Sequence, residues 1–143
     1  MKTKILSVLI AMLWSLMAQA GELIGITPDE LQAMQAKGAL VVDVRTPEEW
    51  AKSGLIPGSA GLTYFDMNGK YDKDAWLKQL KPLQSSPEQP LILVCRSGNR
   101  SGQVGKMLAN EAGYAKVYHL EKGVVGWDSA GKPLEPKSQC KTC

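Results

Sequence analysis

The chain has 143 residues, with 17 Lys and Arg against 14 Asp and Glu and a formal net charge of +3. That length suits one domain. Charge so near balance excludes the basic stripe that nucleic acid would require, and the longest apolar run, residues 5–17, is short for a membrane span.

The N-terminal residues 1–20 read as a secretory signal peptide. Lys2 and Lys4 form a positive start, residues 5–17 an apolar middle, and Ala18-Gln19-Ala20 sets small residues at the −3 and −1 positions of a cleavage site. Cleavage after Ala20 is expected. No cysteine follows to carry a lipid, so no membrane attachment is expected after cleavage. In a Gram-negative bacterium the destination would be the periplasm.

Next comes "TPDELQAMQAKG", a helix opened by Thr27 as N-cap, Pro28 at N1 and Glu30 completing a capping box, and stopped at Gly38. "ALVVDV", residues 39–44, is a buried strand. "TPEEW", residues 46–50, repeats the start signal with Thr46, Pro47 and Glu49. "SGLIPGSAG" is a turn-rich crossing and "LTYF" reads as a brief strand. "DKDAWLKQL" predicts a helix with Trp76, Leu77 and Leu80 inward, ended by the Pro/Ser connection of residues 81–90.

"LILVC", residues 91–95, is apolar on both faces, as central parallel strands are. Val104, Met107, Leu108 and Ala112 then form a helical stripe closed by Gly113. "AKVYHL" predicts another strand and "KGVVGWDSAG" a short helix. Strands alternating with helices predict an α/β domain over residues 21–131 with a mainly parallel sheet. Residues 132–143 are expected as a flexible tail ending in Cys-Lys-Thr-Cys.

Cys95 is the candidate nucleophile. In an open α/β sheet ligands bind beyond the carboxyl ends of the strands, and Cys95 ends one strand just before a helix. Between them lie Arg96, Ser97, Gly98, Asn99 and Arg100. Such a loop can turn its amides inward into an anion-binding nest at a helix N-terminus. Amide dipoles and guanidinium charge there favour thiolate over thiol. A buried core cysteine would need no flanking cations. The substrate should be a small anion bearing an electrophilic atom.

Two reactions suit this loop: sulfur transfer through a persulfide, and phosphate-ester hydrolysis through a phosphocysteine. Cysteine phosphatases separate Cys and Arg by five residues. Here Arg100 follows Cys95 after four, and the next position is Ser101. The loop is one residue short for phosphate.

The sequence resembles the single-domain rhodanese family of sulfurtransferases over essentially all of residues 23–131. "VVDVRTPEEW" with "SGLIPGSA", "CRSGNRS" and "LEKGVVGW" carry the resemblance. It implies a five-stranded parallel sheet flanked by helices on both faces, with Cys95 carrying persulfide sulfur. By that likeness the amides from Arg96 to Arg100 would hold the sulfur, and the Arg100 and Arg96 side chains would meet the donor's anionic end. Asp43 and Arg45 would be a structural pair at the pocket edge, with Arg45 also reaching Glu49. Leu55, Ser59 and Lys122 depart from the family's usual His, Ala and Gly.

A donor such as thiosulfate or a polysulfide would load Cys95, and a thiol or cyanide, a protein thiol included, would unload it. A carrier handing persulfide to one protein partner without turnover is the alternative. Sulfur transfer to a preformed thiolate needs no general base, and His119, the single histidine, reads as a packed residue. No cofactor or metal is expected. Cys140 and Cys143 have three readings: an inert disulfide, a dithiol that relays sulfur from Cys95 or reduces it, and a soft-metal pair. Two cysteines are too few for zinc.

Overall fold

The structure is a computed structural model that describes residues 19–143; the expected signal peptide lies outside the described residues except for its last two positions. Five strands form one sheet in the order β1-β5-β4-β2-β3, all paired in parallel. They are β1 (Glu22–Ile26), β2 (Leu40–Asp43), β3 (Ala60–Gly61), β4 (Leu91–Val94) and β5 (Lys116–Leu120). The α-helices are α1 (Pro28–Ala36), α2 (Pro47–Ser53), α3 (Lys73–Leu80), α4 (Asn99–Glu111) and α5 (Gly123–Ser129).

The two Thr-Pro signals behave as capping boxes. Thr27 and Thr46 each accept the N3 amide on their side chains, while Glu30 and Glu49 accept the cap amides in return. β4 is buried along its whole length because it lies between β5 and β2, and helices cover both faces. Val42, Leu91, Leu93 and Val117 pack with Trp76 and Leu80 of α3 and Val104 and Leu108 of α4. Val41, Ile92, Val94 and Leu120 pack with Leu31 of α1 and Val124 and Trp127 of α5.

Three local expectations are corrected. Residues 22–26 form a strand that the apolar pattern did not single out, since Gly25 interrupts it; β5 supplies its ladder. "LTYF" is not a strand, because the paired segment is Ala60–Gly61 and the chain then crosses the end of β2. There the Leu62 and Tyr64 amides donate to the carbonyls of Asp43 and Val44.

The third concerns residues 132–143, expected as a flexible tail but folded back onto the domain. Buried Trp127 donates its indole N–H to the Pro133 carbonyl at 2.9 Å, and Leu134 packs against the α1/α5 cluster. Leu55 and Glu135 exchange backbone hydrogen bonds of 2.9 and 2.8 Å. Gly61 N–H donates to the Thr142 carbonyl at 3.1 Å. These hydrogen bonds and the Leu134 contact hold the segment against the domain.

Candidate active site

β4 ends at Val94, so Cys95 stands at the carboxyl edge of the sheet, between the ends of β2 and β5. The chain leaves the strand, turns through Gly98 and enters α4 at Asn99. Gly98 is required by two facts. Its φ of +98° is left-handed backbone, and a Cβ there would overlap the carbonyl oxygen of Glu121. Gly123, at φ +58°, is confined in the same way against the carbonyls of Cys95 and Arg96. Those carbonyls accept the amides of Val124 and Val125 at 2.9 and 3.0 Å. Thus the start of α5 braces the loop from behind.

Cys95 is 1% exposed. The Gly98 N–H donates to its Sγ at 3.1 Å, and Ser101 Oγ lies 3.4 Å from it. Among the described residues no other loop amide reaches Sγ itself. Gly98 provides no side-chain cap for α4, and the sulfur sits at that uncapped end, where the helix dipole favours negative charge.

The two arginines part company. Arg96 is exposed, with no side-chain hydrogen bond or ion pair among the described residues. Arg100 is half-buried and held by Glu49, whose two carboxylate oxygens receive Nη2 and Nη1 at 2.7 and 2.8 Å. Hydrogen bonding to Arg100 is the main cause that pulls the Glu49 carboxyl from 4.5 down to about 2. Ser97 and Asn99 are exposed; Asn99 Oδ1 accepts from Gln103 Nε2 at 2.9 Å.

Asp43 and Arg45 pair as expected, with Nη2 to Oδ2 at 2.8 Å and side chains only 1% and 3% exposed. The expected bond from Arg45 to Glu49 is absent. Arg45 instead donates to Ser53 Oγ and the Gly54 carbonyl, both at 2.8 Å. Glu49 is turned toward α4, where Arg100 takes both of its oxygens. The Asp43–Arg45 pair therefore ties the end of β2 to the end of α2.

Cys140 and Cys143 form a disulfide. It lies on edge strand β3: the Cys140 sulfur is 3.6 Å from the Ser59 carbonyl, and a Cβ on Gly61 would stand 2.7 Å from the Cys143 sulfur. β2 lies between β3 and β4, so the structure does not bring this pair to Cys95. It does bring up two residues that carried no role in the sequence reading. Ser101, fully buried, contacts Cys95 from the first turn of α4, and His119 Nδ1 lies 3.0 Å from Ser101 Oγ. One signal in the sequence bore on this: His119 has the parity of Val117 on β5, which places it under α4.

A surface groove of about 920 Å³, lined by Pro87, Pro90, Tyr114 and Lys116, opens at the other end of the sheet. Cys95 is not in it. What the Cys95 loop offers is a shielded sulfur with an amide donor and a helix end, the charge of Arg100 nearby, and the exposed Arg96 next in sequence. That arrangement stabilises an anionic sulfur and attracts anions.

Residues 27–130 match the family model described as "Rhodanese-like domain". The chain is 33% identical over 105 residues to a thiosulfate sulfurtransferase of the GlpE type from Ectopseudomonas mendocina, covering 71% of this chain and 82% of that one. A rhodanese-like domain protein from Staphylococcus aureus superposes with a TM-score of 0.58 at 29% identity, covering 80% of this chain and 98% of that one. The polysulfide-sulfur transferase from Wolinella succinogenes shares the fold, with a TM-score of 0.62 at 20% identity over 83% and 82% of the two chains.

Proposed function

The chain belongs to the rhodanese-like domain family, and from that premise we propose that it is an exported sulfurtransferase acting through a Cys95 persulfide. The family and its curated relatives support sulfurtransferase activity in general. The observation that carries the finer reading is the sulfur of Cys95, met by the Gly98 N–H at 3.1 Å at the uncapped start of α4. Groups placed there favour a thiolate and later a persulfide anion.

In the loading step the Cys95 thiolate attacks the outer sulfur of thiosulfate. A Cys95–S bond forms, the donor's S–S bond breaks, and its electron pair leaves with sulfite. In the unloading step a thiolate or cyanide attacks the outer persulfide sulfur, and Cys95 leaves as thiolate. A polysulfide donor would follow the same course with a shorter polysulfide as leaving group. Neither step moves a proton. Arg96 draws the anionic donor to the loop, and Arg100, steadied by Glu49, adds positive charge behind it.

Export rests on the sequence of residues 1–20 alone, with its basic start, apolar middle and small residues before Gly21. A periplasmic location follows from the same reading.

The test is the intact mass of the purified protein after thiosulfate, for wild type and Cys95→Ser. The expected result is a gain of about 32 Da on Cys95, one sulfur atom, removed by cyanide and absent in the variant. No adduct with thiosulfate or a polysulfide would overturn the reading.

A further inference from the structure

Cys95, Ser101 and His119 form a continuous chain of polar atoms beneath the loop. Ser101 Oγ is 3.4 Å from Cys95 Sγ, 3.2 Å from the Gly98 carbonyl and 3.0 Å from His119 Nδ1. A hydroxyl has one hydrogen to give, so these three acceptors compete for it. Gly98's carbonyl already accepts the Gly102 amide at 3.0 Å and loses little if the hydroxyl turns away. The choice between sulfur and imidazole then depends on whether Nδ1 carries a hydrogen.

We infer that His119 is a positioning residue for Cys95, donating its Nδ1–H to Ser101 Oγ so that the Ser101 hydroxyl donates to the ionised sulfur. A bare Nδ1 would capture the hydroxyl hydrogen and present oxygen lone pairs to the thiolate. With Nδ1 protonated, Sγ receives two hydrogen bonds, from Gly98 N–H and Ser101 Oγ–H. Hydrogen bonds to a charged acceptor are the stronger kind, the more so when buried.

The surroundings suit a neutral donor. Burial holds the imidazole below its ordinary range, opposed by the charge of Glu121 and aided by that of Lys106. From α4 it is faced by Ser101, Gly102 and Lys106. Its partners in register on β4 and β1, Leu93 and Gly25, are uncharged. His119 therefore acts through hydrogen-bond direction rather than charge.

The consequence for sulfur transfer, which rests on the proposed persulfide reading, falls mainly on unloading. In that step Cys95 Sγ is the leaving group and takes up full negative charge. In loading, stabilising the thiolate raises its population but weakens it as a nucleophile, and the two effects oppose each other.

The test reads the resting thiol first, so it does not depend on persulfide formation. Iodoacetamide alkylation of Cys95 is followed against pH in wild type, His119→Phe, His119→Asn, Ser101→Ala and Ser101→Ala/His119→Phe, with urea midpoints confirming that each is folded. His119→Phe and Ser101→Ala should each slow alkylation about tenfold at neutral pH and move the profile to higher pH. The double variant should be no slower than Ser101→Ala alone, and His119→Asn, which keeps an N–H near the place of Nδ1, should restore most of the rate. A wild-type profile in His119→Phe overturns the inference. So does a double variant that multiplies the two losses, or a His119→Asn variant as slow as His119→Phe.

The unmutated protein supplies a second readout. His119 is the sole histidine, so the imidazole ¹⁵N signals need no assignment, and a ring protonated only at Nε2 would equally overturn the inference. Should the alkylation profiles shift while no persulfide forms with any donor, the proposed function fails and the role of His119 stands.

Discussion

Glu49 grips Arg100 with both carboxylate oxygens, at 2.7 and 2.8 Å, while the same carboxylate caps α2 at Thr46. One side chain thus joins the start of α2 to the first turn of α4. It also sets where the second loop arginine stands relative to Cys95.

That grip gives a pH signature. Glu49 is pulled from 4.5 down to about 2, chiefly by its hydrogen bonds to Arg100. A carboxyl depressed in the folded state contributes stability above its unfolded value, and that contribution is lost as pH falls from about 4.5 through about 2. Glu49→Gln keeps an acceptor for the Thr46 amide but has no carboxylate to titrate. Both partners are over a quarter exposed, so the difference at pH 7 should be at most about 1 kcal/mol. Urea midpoints at pH 7, 4 and 3 should show the gap between wild type and variant closing. A gap unchanged at pH 3 would contradict the assignment.

Asp43 and Arg45 differ in kind, because they are buried almost completely. Asp43→Ala leaves the buried Arg45 guanidinium without its counter-charge, with only Ser53 Oγ and the Gly54 carbonyl as acceptors, and should cost about 3–5 kcal/mol, against well under 1 kcal/mol for an exposed pair. Denaturant unfolding at neutral pH measures it. A loss below ~1 kcal/mol would mean that Ser53 and the Gly54 carbonyl suffice for Arg45.

Much of this was legible in the sequence, for identifiable reasons. Thr27-Pro28 and Thr46-Pro47 mark helix starts by local chemistry, and "LILV" marks a central strand because its burial needs no long-range knowledge. Cys95 was legible because its arginines and glycine break the pattern of a core. The partner of Glu49 was not. Its local neighbour Arg45 lies four residues away, whereas Arg100 lies 51 residues away and is brought near only because the fold sets the start of α4 beside the start of α2. Ser101 and His119 were missed for the same reason, since the order of β5 beside β4 decides that they meet. The C-terminal segment looked mobile from its Pro, Lys and Ser content, and composition cannot register the acceptor that Trp127 finds at Pro133.

Gly98 should tolerate no side chain. Gly98→Ala imposes a left-handed residue with a Cβ and drives it into the Glu121 carbonyl. The expected cost is at least about 1–3 kcal/mol, together with loss of the amide bond to Cys95. Alkylation of Cys95 and a urea midpoint read both effects. An Ala variant with wild-type values for both would refute the argument.

Arg96 should affect binding and leave stability alone. Its side chain is exposed and has no partner among the described residues, so Arg96→Ala should move the urea midpoint by less than about 0.5 kcal/mol. If Arg96 gathers anionic donors, KM for thiosulfate should rise several-fold with kcat nearly constant, and added salt should narrow the difference. A fall in kcat at unchanged KM would place its contribution in the transition state instead.

The tail disulfide is predicted to be a staple rather than a relay. Cys140 and Cys143 close a short loop, for which chain entropy allows about 2 kcal/mol at most. The bridge lies on β3 with β2 between it and the strand that bears Cys95. Cys140→Ser/Cys143→Ser, or mild reduction of the wild type, should therefore lower stability by no more than about 2 kcal/mol. Truncation after Lys132 should cost more, because it also removes Leu134 from its cluster and breaks the Leu55–Glu135 bridge. Loading and unloading of sulfur at Cys95, followed by mass, should match wild type in the double-serine variant. A tenfold loss of unloading at preserved stability would instead make the pair a sulfur acceptor, reached by release of the segment from β3.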